Sequence, residues 1–366
     1  MPRISAELER VHQRLEEDAV RLPEPQSAAS PRSDSARPTV LVITDYDDVH
    51  ADAVIEAMNL QQIPVFRLNT SDFAIEGRIT MEVGGSTTAR PFRGEVSNSV
   101  RSLCLEDVHS VWYRRPGQIR RNPAITRNAQ PYAQEQFRLA LRYLQGALVA
   151  KWVNNPAANR RADNKILQLT TARRLGFKIP DTVLTNSPHH LESFRADHAE
   201  HEIIIKDLDL SVANAKLLLR GIGTQALPAD FIPEPTMVAA APVIAQPFVP
   251  KAYELRCTVI GDRVFGVRID SPESARLDWR SALDAGPDGL PRDLNTYSSY
   301  DMPAPLVKRL LALCRAFDLR FAAIDLIVTP SGECVFLEVN PNGQWLWLQW
   351  DARLPLVETM VHELTH

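Results

Sequence analysis

Residues 321–347 constrain this chain more than any other stretch. Two apolar runs, Phe321 to Thr329 and Val335 to Val339, flank Pro330-Ser331-Gly332-Glu333. The runs are rich in β-branched and aromatic residues and read as strands. Ser331 and Gly332 form the centre of a tight turn, which makes the pair a hairpin. Counting outward from that turn places Asp325 opposite Glu338. Glu338 and Asn340 lie two residues apart and so share a sheet face. Asn-Pro-Asn-Gly then ends the second strand, because proline lacks a ladder donor and Asn-Gly favours a turn. Two carboxylates and an amide oxygen on one face form a hard-oxygen set suited to Mg²⁺. The alternative is an edge hairpin with solvated carboxylates. The surrounding runs are too apolar for that, since a buried unpaired carboxylate is costly or shifts its pKa.

At 366 residues the chain can hold two or three packed subdomains. Its apolar fraction of 45% and charged fraction of 23% are those of an ordinary globular protein. A net charge of -4 argues against general nucleic-acid binding, which wants a strongly basic domain. Cys104, Cys257, Cys314 and Cys334 are scattered without metal-type or paired spacing and read as buried apolar thiols in a reducing compartment. No run reaches membrane-span length and no signal-peptide core follows Met1, so a cytoplasmic location with no membrane partner is expected.

Residues 1–37 read as a flexible extension. Ile4, Leu8, Val11, Leu15 and Ala19 recur at helical spacing, and Pro23 to Pro38 is rich in Pro, Ser and Ala. A poorly ordered tail and a docking helix both fit this pattern. From Thr39, a buried strand, a helix through Ala57 and a strand at Val65 to Leu68 make a βαβ unit, hence a parallel sheet. Asp45-Tyr46-Asp47-Asp48 stands where a Gly-rich loop would be, which argues against a dinucleotide site. Thr80 to Phe92 reads as a hairpin, and Val108 to Tyr113 as a strand leaving through Arg114-Arg115-Pro116. Pro131 to Lys151 predicts a helix before the strand Trp152-Val153-Asn154. One further helix runs from Asn155-Pro156 through Lys165 to Gly176. Ile179 to Thr185 reads as a strand, and Asn186-Ser187-Pro188 as a helix cap. Glu202 to Ile205 is a strand ending in Lys206, and Val243 to Val249 is a strand running into a break. Glu254 and Arg256 share a face of a second hairpin, which turns at Gly261-Asp262. Pro305 to Phe317 is an amphipathic helix.

Asp325 with Glu338-x-Asn340 resembles the metal-binding hairpin of the ATP-grasp carboxylate ligases. The longer string Phe-Leu-Glu-Val-Asn-Pro-Asn-Gly-Gln-Trp resembles one branch, the ATP-grasp ribosomal peptide maturases, which are graspetide or microviridin-type cross-linking ligases. Tyr-Arg-Arg-Pro, the passage from Trp-Val-Asn-Asn-Pro to Ile-Pro-Asp-Thr-Val-Leu-Thr-Asn, and Asp278-Trp279-Arg280 are similar to the same branch. The resemblance runs from Thr39 to the C-terminus. It implies an α/β ATP-grasp fold, with a βαβ pre-ATP-grasp domain over 38–150, a central subdomain over 151–245 and a C-terminal subdomain over 246–366. It implies ATP and Mg²⁺ as cofactors, with Lys165 and Lys206 on the nucleotide phosphates. Gln246, Phe248 and Val249 would form the hinge that reads adenine, with Glu254 beside it. Arg256 would contact phosphate, where a planar cationic fork fits well, although a cross-strand ion pair competes for it. Arg280 would meet the substrate carboxylate or acyl phosphate. Asp325, Glu338 and Asn340 would hold the metal. One departure concerns the loop that covers the phosphates. It is often Gly-rich, yet 208–215 has no glycine, and Gly221 and Gly223 come later.

The resemblance implies activation of Asp or Glu side chains in a ribosomal precursor peptide, leader plus core. Thr, Ser or Lys side chains of the same peptide would then close ester or amide rings. A ligase that adds an amino acid to a terminus and a non-catalytic nucleotide-binding protein remain the other readings, and a homodimer is allowed without being specified. Trp345, Trp347 and Trp350 must either pack in the core or line a partner surface. Because residues 1–37 show no packed-core pattern, deleting them is expected to leave ATP affinity and melting temperature unchanged. A large loss of either, by calorimetry, would show that Ile4 to Leu22 docks on the fold.

Overall fold

The computed structural model describes residues 39–84, 92–206, 208, 224–227, 235–285 and 291–366. The readings of 1–37, of the hairpin tip after Gly84 and of 209–223 lie outside the described residues. β1 (Thr39–Thr44), α1 (Val49–Leu60) and β2 (Val65–Asn69) form the expected parallel βαβ unit. β1 is an unbroken apolar run because helices or loops cover both faces of such a strand. Asp48 starts α1 by accepting from the His50 and Ala51 amides. β3 (Arg78–Val83), β4 (Phe92–Ser97) and β5 (Ser102–Cys104) make an antiparallel side sheet, and β6 (Val108–Tyr113) returns beside β1. Cys104, expected to be buried, is exposed, because alternation along β5 turns it outward. α2 (Gln130–Ala147) lays Leu141 and Leu144 on Leu41, Ile43 and Val111. It ends before the Lys151 read from the sequence, because Lys151 opens β7 (Lys151–Val153), which pairs with β6. The sheet order is β2-β1-β6-β7, so this sheet extends past the 150/151 boundary.

The stretch read as one helix is two, α3 (Pro156–Ala162) and α4 (Lys165–Arg174). Asn164 makes the break, since its side chain accepts from the Leu167 amide and caps α4. Gly176, at φ +83°, closes α4 as anticipated. β8 (Val183–Thr185) is shorter than the strand read from Ile179, because Pro180 has no amide to give a ladder. α5 (Pro188–Asp197) begins at Ser187, the expected cap. β9 (Ile203–Lys206), β10 (Gln225–Leu227), α6 (Pro235–Ala240) and β11 (Val243–Pro247) complete the central layer, whose antiparallel order is β10-β9-β11-β8.

The last sheet has the order β16-β13-β12-β17-β18. It comprises β12 (Tyr253–Ile260), β13 (Arg263–Asp270), β16 (Thr296–Tyr300), β17 (Phe321–Val328) and β18 (Cys334–Asn340), with β14 (Leu283–Ala285) and β15 (Pro291–Asp293) as a separate ribbon. α7 (Ala304–Phe317) buries Leu306, Leu310, Leu313 and Phe317 against Leu255, Cys257, Ile324 and Leu326 on one face. Alternation along the strands sends Glu254, Arg256 and Asp325 to the opposite face. α8 (Leu346–Asp351) and α9 (Leu356–Thr365) then return to the first domain, where Met360 and Leu364 share a core with Val54 and Met58 of α1.

Trp345 sits at this junction and is fully buried. Its amide donates to His50 Nε2 at 3.0 Å, and the two rings meet edge to face at 5.2 Å. Trp347 is half-buried against Trp279 and Tyr297, whereas Trp350 is 48% exposed. The three tryptophans thus divide among the core, a half-buried aromatic cluster and the surface. Trp345→Ala should cost about 3–5 kcal/mol in urea unfolding and Trp350→Ala under about 0.5 kcal/mol; similar losses for both would contradict this burial.

His50 also makes a pH prediction. Burial holds its imidazole down from 6.5 to about 4, against the pull of Asp48. Across that interval the unfolded chain carries more protons at this residue than the folded chain, so stability rises with pH through it and levels above it. Denaturant midpoints of the wild type should therefore fall from pH 7 to pH 5, and those of His50→Gln should fall less. Parallel pH curves would remove His50 as the titrating group.

Candidate functional site

The hairpin of β17 and β18 reaches the anticipated pairing by a different route. Thr329 N–H donates to Glu333 O, and Gly332, at φ +83°, leaves a three-residue loop of Pro330, Ser331 and Gly332. That turn pairs Val328 with Cys334 and Leu326 with Phe336, one residue out of the register counted from a two-residue turn. A bulge between the Leu326 and Asp325 pairs adds the residue back, so Asp325 does face Glu338 and Ala323 faces Asn340.

Asp325 is 5% exposed and held by two guanidinium groups. Arg256 Nη1 reaches its Oδ1 at 2.8 Å from the neighbouring strand, and Arg280 Nη2 reaches its Oδ2 at 3.0 Å from the Asp278-Trp279-Arg280 turn. Arg256 itself is buried, and its Nη2 donates to the Gln344 carbonyl at 2.8 Å. Glu338 takes a direct ion pair from Lys165, the first residue of α4. Burial opposes ionisation of Glu338, but Lys165, Arg280 and Lys206 outweigh it and hold the carboxyl well below the usual range. Asn340 Oδ1 accepts from the Asn342 amide at 2.9 Å, which folds the chain back over the strand end.

Lys206, at the end of β9, joins the same electrostatic group. Burial lowers its pKa, while Glu338, Asp278 and Asp325 pull it up and Lys165 pushes it down. Residues from the central layer and the last sheet thus converge on one cleft. Arg280 is raised further above its ordinary value, burial being overcome by Asp325, Asp278 and Glu338. Its guanidinium also lies 4.8 Å over the Trp279 ring.

Gln246, Phe248 and Val249, expected from the resemblance to form a hinge, lie at the end of β11 and in the linker after it. Gln246 is buried, with Nε2 donating to Thr182 Oγ1 at 2.9 Å, so its side chain ties β11 to the segment before β8. The Phe248 amide donates to the Glu202 carbonyl at 2.7 Å. Val249 is half-buried in the linker that follows β11. Beside it a cavity of about 290 Å³ is lined by Phe248, Lys251, Tyr253, Ile269, Ser271 and Arg276. Glu254 is buried and paired with Lys251; burial pushes its carboxyl up to about 7, with Lys251 opposing. Arg276, in the cavity lining, ties the segment after β13 to Glu202, just before β9, through a two-pronged ion pair at 2.7 and 2.8 Å.

Sequence reasoning assigned no individual role to several residues that frame the site. Asp278 anchors the Arg280 backbone and side chain, at 3.0 and 3.2 Å, and lies within charge range of Lys206 and Glu254. Gln168 donates to the Val339 carbonyl and accepts from the Val339 amide, locking α4 to the edge strand β18. Asn154 donates to Phe321 O and Pro341 O and accepts from the Phe321 amide. Polar residues in short segments carry no periodicity, so spacing alone gave none of them a role.

Residues 39–160 match the MvdD pre-ATP-grasp domain family. No curated protein matches the chain. Among solved structures, macrocyclase MdnC of Microcystis aeruginosa, bound with precursor peptide MdnA, is 27% identical, with a TM-score of 0.76 over 90% of this chain and 99% of that one. Macrocyclase MdnB of the same organism is 26% identical, with a TM-score of 0.70 over 89% and 99%. A RiPP-associated ATP-grasp ligase of Chryseobacterium gregarium, in complex with ADP and a leader and core peptide, has the same fold, with a TM-score of 0.74 at 24% identity over 89% and 96%. The chain is thus an α/β protein with an MvdD pre-ATP-grasp domain and an ATP-grasp fold, and over nine-tenths of its length it is similar to ATP-grasp macrocyclases of ribosomal peptides.

Proposed function

We propose that the chain is an ATP-dependent carboxylate ligase that cross-links a ribosomally made precursor peptide. The observation that carries this reading is the convergence of Lys165, Lys206, Arg256 and Arg280 on the paired carboxylates Asp325 and Glu338. Four cations around two carboxylates suit a polyanionic nucleotide. The likeness to MdnC, described with its precursor peptide, supports a peptide as the other substrate. No helix among the described residues is long and apolar enough to cross a membrane. A cytoplasmic location is part of this reading.

Asp325, Glu338 and Asn340 fit Mg²⁺. Among the described residues no three His, Cys, Asp or Glu side chains gather into a cage. A cation here would be held by one or two carboxylates, an amide oxygen and nucleotide phosphates. When bound, the ion would supply charge neutralisation between nucleotide oxygens. Lys165 and Lys206 would hold the phosphates from the central layer and Arg256 from the sheet. The linker Gln246 to Val249 would cradle the base through its backbone, with Glu254 near the sugar. A substrate Asp or Glu carboxylate would attack the γ-phosphorus and release ADP, leaving an acyl phosphate. These cations offset the repulsion between the two anions in that step. Arg280 would steady the acyl phosphate until a Thr, Ser or Lys side chain attacks the carbonyl, releasing phosphate and one proton and closing an ester or amide ring.

Incubation with ATP, Mg²⁺ and a peptide carrying leader and core should give mass losses of one water per ring, with equimolar ADP. Losses reversed by mild base mark esters, and resistant ones mark amides. Asp325→Ala, Glu338→Ala and Asn340→Ala should each lower turnover at least about a hundredfold in folded protein. A mass gain equal to an amino-acid residue would overturn the cross-linking reading for a tailing ligase, and full activity of Glu338→Ala would sink the metal assignment.

A further inference from the structure

The loop that follows the Glu338 strand, Pro341 to Trp345, is held from both sides. On the ATP-grasp side, Arg256 Nη2 donates to Gln344 O at 2.8 Å, while Asn154, which follows β7, donates to Pro341 O at 3.1 Å. A methyl on Gly343 would come within 2.8 Å of Arg256 Nη2 and 2.4 Å of Ala323 Cβ, so the loop lies directly on the Arg256 fork. On the other side, the first domain reaches in with two side chains. Arg114, wholly buried at the end of β6, donates Nη1 to Asn342 O. His50, on the first turn of α1, accepts the Trp345 amide on Nε2.

His50 can accept there only as a neutral ring with its proton on Nδ1. Asp48 selects that form, with Oδ1 3.5 Å from Nδ1. Asp48 is fixed in turn by Thr44 Oγ1 at 2.6 Å, by its cap on α1 and by Arg114 Nε at 3.8 Å. Burial opposes its charge, but His50, Arg114 and Thr44 outweigh burial and keep the carboxyl ionised. A chain of contacts therefore runs from the α1 cap through His50 to the Trp345 amide, then across one peptide unit to Gln344 O, Arg256 and Asp325.

We infer that His50 is a positioning residue for the nucleotide site, setting the Gln344 carbonyl that aims the Arg256 guanidinium at Asp325 and at the nucleotide phosphates. The inference rests on the reading of Arg256 as a phosphate contact. It assigns the first domain a part in ATP binding that no direct contact with ATP is needed to explain. Gln in place of His50 can put an amide oxygen near the Nε2 position. Leu fills similar space with no acceptor, and Asn is too short to reach.

Titrate the wild type, His50→Gln and His50→Leu with Mg²⁺ and a non-hydrolysable ATP analogue by calorimetry, without peptide. Wild type should bind, His50→Gln should stay within about threefold, and His50→Leu should weaken about tenfold or more. If His50→Leu does not fold, His50→Asn takes its place in the comparison. Wild-type affinity in the folded Leu or Asn variant would overturn the inference, as would an equal loss in His50→Gln. A wild type that binds no nucleotide would instead overturn the ligase reading itself, a result distinct from either.

Discussion

The structure depends on how one open sheet face tolerates buried carboxylates. β12, β17 and β18 are apolar strands, and each sends charged or polar residues to the same side. Asp325 alone on that face would cost several kcal/mol in lost hydration or would take up a proton. Two arginines from different segments prevent this, one from the adjacent strand and one from the Asp278 turn. Removing one partner of such a cluster leaves an uncompensated charge, which is more damaging than the pair is stabilising. The cleft is therefore specified by mutual need. The sheet requires the arginines, and the arginines require the turn and the loop that carry their remaining contacts.

That requirement explains the reach of the Pro341 to Trp345 loop. A fork as buried as Arg256 must satisfy donors beyond those facing Asp325, and the Gln344 carbonyl supplies one acceptor. The loop can lie that close only because residue 343 has no side chain. Its far end is anchored by a tryptophan whose burial merges the core of the last sheet with that of the first domain. Packing, hydrogen bonding and charge thus meet within five residues. The string Pro-Asn-Gly-Gln-Trp is explained residue by residue: a strand stop, a carbonyl for Arg114, a close approach, a carbonyl for Arg256 and a core anchor.

Much of this was legible from residue types. The parallel βαβ unit, the amphipathic helix α7 and the hairpin strands follow from hydrophobic periodicity, which burial enforces. The facing of Asp325 and Glu338 was also legible, although the count assumed a two-residue turn. The real turn is three residues long, and the bulge at Leu337 cancels the slip, because only that register keeps the charged side chains on the open face. Local rules failed where polar side chains act on distant backbone. Asn164 splits a helix that periodicity joins, and Pro180 shortens a strand that composition extends. The junction of Asp48, His50 and Arg114 left no trace in spacing, since its members lie 295 residues from one partner and 228 from another.

The charge arrangement also bears on how a ligand would enter. The cations already hold Glu338 ionised, so a divalent ion meeting this face need not first displace a proton. Lys165 and the arginines are flexible or forked groups that sit on carboxylate oxygens. On the ligase reading, a nucleotide bringing its own anionic oxygens and a metal would offer both sides new partners at once. Carboxylates would turn from cationic side chains to the metal, and the side chains from carboxylates to phosphates. The site would then exchange ion pairs instead of burying fresh charge, which removes most of the desolvation penalty that binding a polyanion there would otherwise carry. Arg256 is the exception, since its second contact is to the fixed Gln344 carbonyl rather than to another side chain. On that reading it would gain a phosphate without losing its aim, which is the property a positioned fork requires.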